Sequence, residues 1–162
     1  MNKNRHGKVF PMKVKWSFIL ASILTSAGAI LHIAIIIGGP DWYRASGAGN
    51  ELAQMAESGS VYPAFLGSVL VLIFFGWAIY ALSGAGIIMR LPLLKTGLVL
   101  IASLCTVRGL YGFFVPVLIK TEYVVGLGIE FWVLSSLVWL AIGLSYLHGL
   151  RTNWSYLDGK EQ

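Results

Sequence analysis

Apolar and polar residues divide the chain into four long apolar stretches separated by short polar segments. Each stretch has the roughly 20 residues that a helix rising about 1.5 Å per residue needs to cross about 30 Å of hydrocarbon. The pattern predicts an all-α membrane protein, a single domain formed by a four-transmembrane-helix bundle. The predicted spans cover about residues 17–37, 62–82, 93–117 and 129–150.

The longest polar segment is the predicted outer loop, residues 38–61, which includes a short amphipathic helix over residues 51–57. Asn50 is a suitable N-cap for this helix, and Ser58 and Gly59 would end it. Its apolar face would consist of Leu52, Met55 and Ala56. The pattern favours a helix lying in the headgroup layer. The alternative is a lid over an opening between the spans, formed by Glu51, Leu52, Met55 and Glu57.

Composition supports a membrane protein and gives an orientation. The chain is 57% hydrophobic and only 12% charged, whereas soluble domains carry about 25% charged residues. The basic residues flank the apolar stretches and do not form a patch with aromatic side chains, so no nucleic acid is expected. Lysine and arginine near span ends stay cytoplasmic, which predicts cytoplasmic termini. Nine of the twelve basic residues lie on that side: Lys3, Arg5, Lys8, Lys13, Lys15, Arg90, Lys95, Arg151 and Lys160.

Three segments carry a resemblance to a known group of proteins. They read GGPDWYRASGAG, ELAQMAESGSVYP and YALSGAGIIMRLPLLKTGLVLI. These segments resemble small, uncharacterised four-span inner-membrane proteins of Gram-negative bacteria, over roughly residues 28–115. The resemblance implies a bacterial inner-membrane location. It implies no site residue, because the group has no assigned chemistry.

Few features of the sequence suggest catalysis. The single Cys105 excludes an internal disulfide framework and any CxxC redox or zinc site. No catalytic triad, HExxH pair or metal-ligand cluster occurs. We therefore expect no metal and no cofactor, and an enzyme is the least favoured class.

Arg108 is the residue that most constrains function. An arginine near the centre of a span costs about 2.5 to 3.5 kcal/mol, so it must face the bundle interior, water or a partner. His32, in the first span, is expected at a similar depth, in the outer half of the membrane. Its position is consistent with a role in helix packing or in a binding site. Helical side chains lean toward the helix N-terminus, which would point Arg108 back toward the membrane centre. Pro116 removes the helical donor for the carbonyl of Gly112, one turn beyond Arg108.

Two classes of function follow from the absence of an acid at the depth of Arg108. In the first, a small binding or transport module has an outward-opening polar site for an anionic lipid or a small amphipathic molecule. The candidate ligand-binding residues are Arg108, His32, Tyr111 and Glu130. In the second, an accessory or assembly subunit pairs Arg108 with an acid on a membrane-protein partner or in a homodimer.

Overall fold

The computed structural model describes residues 15–157, and within this range every regular element is a helix. Four of the helices are long and apolar enough to cross a membrane, which confirms the expected all-α set of four long helices. The predicted cytoplasmic residues Lys3, Arg5, Lys8, Lys13 and Lys160 lie outside the described residues. In chain order the helices are α1 (Trp16–Gly38), α2 (Pro40–Ala45), α3 (Asn50–Glu57), α4 (Tyr62–Ala85), α5 (Leu94–Leu118), α6 (Glu122–Thr152) and α7 (Trp154–Leu157).

The last long helix begins earlier than the sequence pattern suggests. The predicted span starts at residue 129, whereas α6 begins at Glu122, after Thr121, whose hydroxyl accepts a hydrogen bond from the Val124 amide. Between these two starting points lies Gly128, whose φ of 78° and ψ of 157° interrupt the helix. Only glycine adopts this conformation readily. A short outer segment of α6 therefore precedes the break, and the predicted span follows it.

The long helices form two antiparallel pairs, α1 with α4 and α5 with α6, which make the most extensive contacts in the fold. We call the end of the bundle that holds α2 and α3 the outer end, and the end that holds Lys15 and Leu157 the terminal end. In the terminal half, both pairs share one apolar core. It includes Phe18, Ala21, Ala81, Leu98, Ile142, Tyr146 and Leu157.

Close approaches join the two pairs in this shared core. Phe18 of α1 packs against Gly84 of α4 and Gly149 of α6, and no larger side chain would fit at either glycine without displacing it. The buried hydroxyl of Tyr146 donates to the carbonyl oxygen of Trp77 at 2.8 Å. Small residues allow such close backbone packing in the absence of a hydrophobic force between helices in lipid.

Toward the outer end the shared core is replaced by two separate apolar clusters. One joins α1, α2 and α3 through Ile35, Tyr43 and Ala53. The other joins α5 and α6 and contains Val115, Val124 and Trp132. The two helix pairs thus share a core in one half of the bundle and have their own cores in the other half.

The outer helix differs in detail from its prediction. It begins at Asn50, and Gly49 occupies the N-cap position with φ 102°, so the assignment of Asn50 as N-cap was wrong. The Asn50 side chain instead accepts a hydrogen bond from Nε of Arg44 at 3.1 Å. Arg44 also forms ion pairs with Glu57 at 2.6 Å and with Asp41 at 3.2 Å. The hydrogen bond to Glu57 is the main cause that raises the pKa of Arg44 above its usual value.

The face that α3 presents to the bundle is also shifted. Ala53 is fully buried, and Leu52 and Ala56 pack partly buried against the same cluster. Met55, expected on the apolar face, is 41% exposed. The shift follows from the docking of α3 on Tyr43 and Ile35, a contact that helical periodicity alone does not specify.

Cationic side chains link the elements at the terminal end. Arg90, between α4 and α5, donates hydrogen bonds to the carbonyl oxygens of Tyr156 and Leu157. The Lys95 ammonium lies 3.6 Å from the centre of the Trp154 ring. These contacts hold the short α7 helix against the start of α5.

Candidate functional site

Arg108 lies on a stripe of α5 whose first residue contacts α4. Gly97, Ile101, Leu104 and Arg108 form one stripe along this helix, because they recur at i, i+4, i+7 and i+11. The stripe begins in contact with α4, where Gly97 packs against the ring of Tyr80. Ile101 is 5% exposed but Leu104 is 58% exposed. The stripe is therefore buried at Ile101 and exposed at Leu104, before it reaches Arg108.

The guanidinium of Arg108 is held by aromatic rings and a hydroxyl group from α6. Nη2 donates to Oγ of Ser135 at 3.4 Å. The guanidinium carbon lies 5.7 Å from the ring centre of Trp132 and 5.9 Å from that of Trp139. Such distances are typical of cation–π contacts, in which the ring faces partly compensate the charge.

The side chain of Arg108 also extends in the direction opposite to the expected lean. Its Nη1 lies beside Gly112, which is one turn nearer the outer end of α5. The expectation that it points toward the membrane centre was wrong. The physical reason is that Trp132 and Ser135, which contact the guanidinium, lie on the outer side of Arg108. Gly112 lies on the same side and has no side chain to block the guanidinium.

Two hydrogen-bond donors at this place have no acceptor within residues 15–157. Nη1 of Arg108 and Oγ of Ser136 are both buried without a hydrogen-bond partner. Both lie against Gly112, where a side chain would collide with them. Ser136 is fully buried. We call Arg108, Gly112, Ser135 and Ser136, with the two flanking tryptophans, the Arg108 site.

Like Thr106, Ser136 lacks the hydrogen bond that several other serines and threonines in the long helices make. Serine and threonine in helices commonly donate to the carbonyl oxygen four residues earlier. Thr25, Ser68, Ser145 and Thr152 do so at distances of 2.7 to 2.8 Å. Ser136 makes no such bond, although unsatisfied buried donors cost free energy. Its hydroxyl is free to donate to a further group.

The position of Trp132 depends on the break at Gly128. The indole Nε1 donates to the carbonyl oxygen of Val124 at 3.3 Å. In an unbroken helix residues 124 and 132 are about 12 Å apart along the axis, so the break at Gly128 brings the indole within reach of this carbonyl. Trp132 thereby bridges the two parts of α6 and presents its ring to Arg108.

The sequence interpretation missed the contribution of α6, although a signal was present. Trp132, Ser135, Ser136 and Trp139 recur at i, i+3, i+4 and i+7, which places them on one helix face. Two tryptophans and two hydroxyls on one face of an apolar helix indicate a partner for a cation on the neighbouring helix.

The other three candidate ligand-binding residues lie at different distances from this arrangement. His32 Nδ1 is 2.7 Å from the carbonyl oxygen of Gly28, and its ring centre is 5.1 Å from that of Phe74. Phe74 in turn lies 5.7 Å from Trp139, so aromatic rings connect His32 to the Arg108 site.

Tyr111 and Glu130 are both exposed. Both ion pairs within residues 15–157 belong to Arg44, so neither Glu130 nor another described acid pairs with Arg108. In the described chain, the charge of Arg108 is therefore compensated by aromatic rings and a hydroxyl group, and not by a carboxylate.

The α2–α3 loop, residues 46–49, crosses from one helix pair to the other at the outer end. Gly47 packs against the ring of Phe131, and its carbonyl oxygen accepts a hydrogen bond from the Tyr123 hydroxyl. Phe131 lies edge-on to Trp132, with ring centres 5.8 Å apart. Of the expected lid residues, Glu51, Met55 and Glu57 are exposed and Leu52 is partly buried on α3. The segment that contacts α6 above the site is thus the loop before α3.

The Arg108 site offers hydrogen-bond donors, a chemistry that suits an anionic ligand. Arginine offers only donors, and each serine hydroxyl has a proton to donate. Within the described residues no group of three His, Cys, Asp or Glu side chains could hold a metal ion.

A separate apolar groove of about 360 Å³ lies between α1 and α4, lined by Ile33, Ile36, Ile37, Ser68, Val71 and Leu72.

No protein-family model matches the chain, and no curated protein or solved structure has significant similarity to it.

Proposed function

We propose that this chain is a multi-pass protein of the bacterial inner membrane that binds an anionic or amphipathic molecule at the Arg108 site. The observation that carries the proposal is the pair of buried donors, Nη1 of Arg108 and Oγ of Ser136, which have no acceptor in the described chain. An anion with two or more oxygens supplies acceptors for both. A binding or transport role uses this site directly, and we propose no catalysis.

The test compares what remains bound to purified variants. The protein is extracted in a neutral detergent and analysed by native mass spectrometry, for the wild type, Arg108→Leu, Arg108→Lys and Arg151→Leu. Arg151 is an exposed arginine near the end of α6 and serves as the matched control. An anionic small molecule or lipid should be retained by the wild type and by Arg151→Leu and lost from Arg108→Leu. Lysine should retain it in part, because it keeps the charge but not the planar fork of donors.

An accessory or assembly subunit is the second candidate function. It is favoured by one observation, that the described chain offers Arg108 no acid. A carboxylate on a partner helix could satisfy Arg108 in the same way as a ligand. Co-purification separates the two functions: a stoichiometric protein partner that is lost with Arg108→Leu supports the subunit role and contradicts the binding module.

We also propose that both termini are cytoplasmic. Lys15, Arg90 and Lys95 lie at the terminal end of the bundle, and basic residues near span ends favour the cytoplasmic side. Cysteines introduced by Ser58→Cys and Thr152→Cys test this with a membrane-impermeant thiol reagent, since the native Cys105 is buried. The first should react in intact spheroplasts and the second only after lysis. Labelling of Thr152→Cys without lysis would contradict the orientation.

A further inference from the structure

Beside the Arg108 site, the sides of α4 and α5 that face each other nearer the terminal end carry exposed apolar side chains. The contact of Tyr80 with Gly97 sets the antiparallel register of these helices. Seven residues further along each helix, Ile73 and Leu104 lie at about the same level. Ile73 is 40% exposed and Leu104 58% exposed, whereas facing residues of packed helices are buried. We call the surface between Ile73 and Leu104 the α4–α5 gap.

The gap combines an apolar entrance with a cationic interior. Leu104 and Ile73 stand at the entrance, and Arg108 follows Leu104 by one turn on the same stripe of α5. Tyr111, 52% exposed, continues the apolar rim toward the outer end. A molecule entering sideways would meet aliphatic and aromatic side chains first, and it would have to displace them to reach the buried donors of Arg108 and Ser136.

Approach from the outer end is less direct. The α2–α3 loop crosses there between the helix pairs, with Gly47 packed on Phe131 and hydrogen-bonded to Tyr123. Phe131 also contacts Trp132, which covers one side of the Arg108 guanidinium. A small, fully hydrated anion would have to pass these groups, whereas a lipid-borne anion would not.

We infer that the ligand of the Arg108 site is an anionic amphiphile that enters from the bilayer through the α4–α5 gap. Its headgroup oxygens accept hydrogen bonds from Arg108 and Ser136, and its apolar chain lies against Leu104 and Ile73. This inference rests on the proposed function, because it names the class of ligand for the same site. The shared chemistry is an oxygen acceptor group with a negative charge at the end of one apolar chain.

Three probes separate the headgroup from the chain. Binding of laurate, 1-dodecanol and acetate to the protein in a neutral detergent is measured by thermal shift and by native mass spectrometry. Laurate should bind at least 10-fold more tightly than either of the others, because only laurate has both the anion and the chain. Arg108→Leu should remove this advantage of laurate over dodecanol.

Variants of the gap test the route. Leu104→Trp would fill the entrance and should weaken laurate binding at least 10-fold. Leu137→Trp is the matched control, since Leu137 is 53% exposed on another part of the surface, and it should bind laurate as the wild type does. Gly112→Ala would place a methyl group against the two donors and should weaken laurate binding in the same way, even with the gap open.

The outcomes distinguish failure of this inference from failure of the proposed function. If acetate binds as tightly as laurate and binding depends on Arg108, the site binds anions but the amphiphile is wrong. If Leu104→Trp leaves laurate binding unchanged while Arg108→Leu removes it, the route through the gap is wrong. If no anion binds in a manner that depends on Arg108, both proposals fall.

Discussion

Replacement of the two tryptophans beside Arg108 separates their roles. Trp132→Phe and Trp139→Phe remove the same atoms, and each weakens one cation–π contact, worth about 0.5–1 kcal/mol at accessible sites. Trp132→Phe additionally removes the donor to the Val124 carbonyl oxygen. Loss of one such hydrogen bond costs about 0.5–1.5 kcal/mol. We therefore expect Trp132→Phe to be the more destabilising variant by about 0.5–1.5 kcal/mol.

The assay is reversible unfolding in mixed micelles by titration with dodecyl sulfate, followed by circular dichroism. Hydrogen exchange gives the location of the effect. Amides in the outer segment of α6, residues 122–128, should exchange faster in Trp132→Phe than in Trp139→Phe, because only Trp132 ties this segment to the rest of the helix. Equal losses of stability, with unchanged exchange in the outer segment, would refute the bridging role of Trp132.

Three further predictions concern single positions away from the donors. Gly128→Ala should destabilise the fold by about 1–3 kcal/mol, because φ 78° with ψ 157° is strained for any residue with a Cβ. Chemical unfolding measures the loss. Gly126→Ala is the control, because no atom lies near the added methyl group there. Tyr146→Phe should cost about 0.5–1.5 kcal/mol in the same measurement, because it removes a hydrogen bond between the helix pairs but leaves the Trp77 carbonyl its helical donor. Tyr43→Phe should be neutral or stabilising at neutral pH, because the buried Tyr43 hydroxyl has no partner in the described chain. Burial raises the pKa of Tyr43, so the wild type should lose stability above about pH 10, as the unfolded chain releases a proton that the folded state retains, and the variant should lose less.

The prediction for Arg108 shows how far a single sequence could go. The cost of a charge among apolar residues required a polar environment, whatever the fold. The nature of that environment depended on α6, because the guanidinium contacts Trp132, Ser135 and Trp139, which are 24 to 31 residues away in the chain. No local rule specifies which face of one helix packs against which face of another.

The outer helix illustrates the same limit at a smaller scale. Its position in the chain was predicted from Asn50, Ser58 and Gly59, and the observed bounds differ by one residue. Its buried face did not follow, since Ala53 is buried and Met55 is exposed. Docking on Tyr43, and the ion pair between Arg44 and Glu57, select one rotation of a helix whose periodicity allows several.

The sequence by itself determined the four long apolar helices and the few polar positions within them. Helix formation in an apolar stretch is a local property, because each backbone hydrogen bond joins residues four positions apart and the length needed to cross a bilayer is fixed. The tertiary structure decided that the helix pairs share a core at the terminal end and have separate clusters at the outer end. It also decided that Arg108 reaches outward to Gly112 and two tryptophans. These outcomes arise from close packing at particular small residues, such as Gly97 and Gly149, whose partners are distant in the chain and are chosen by shape.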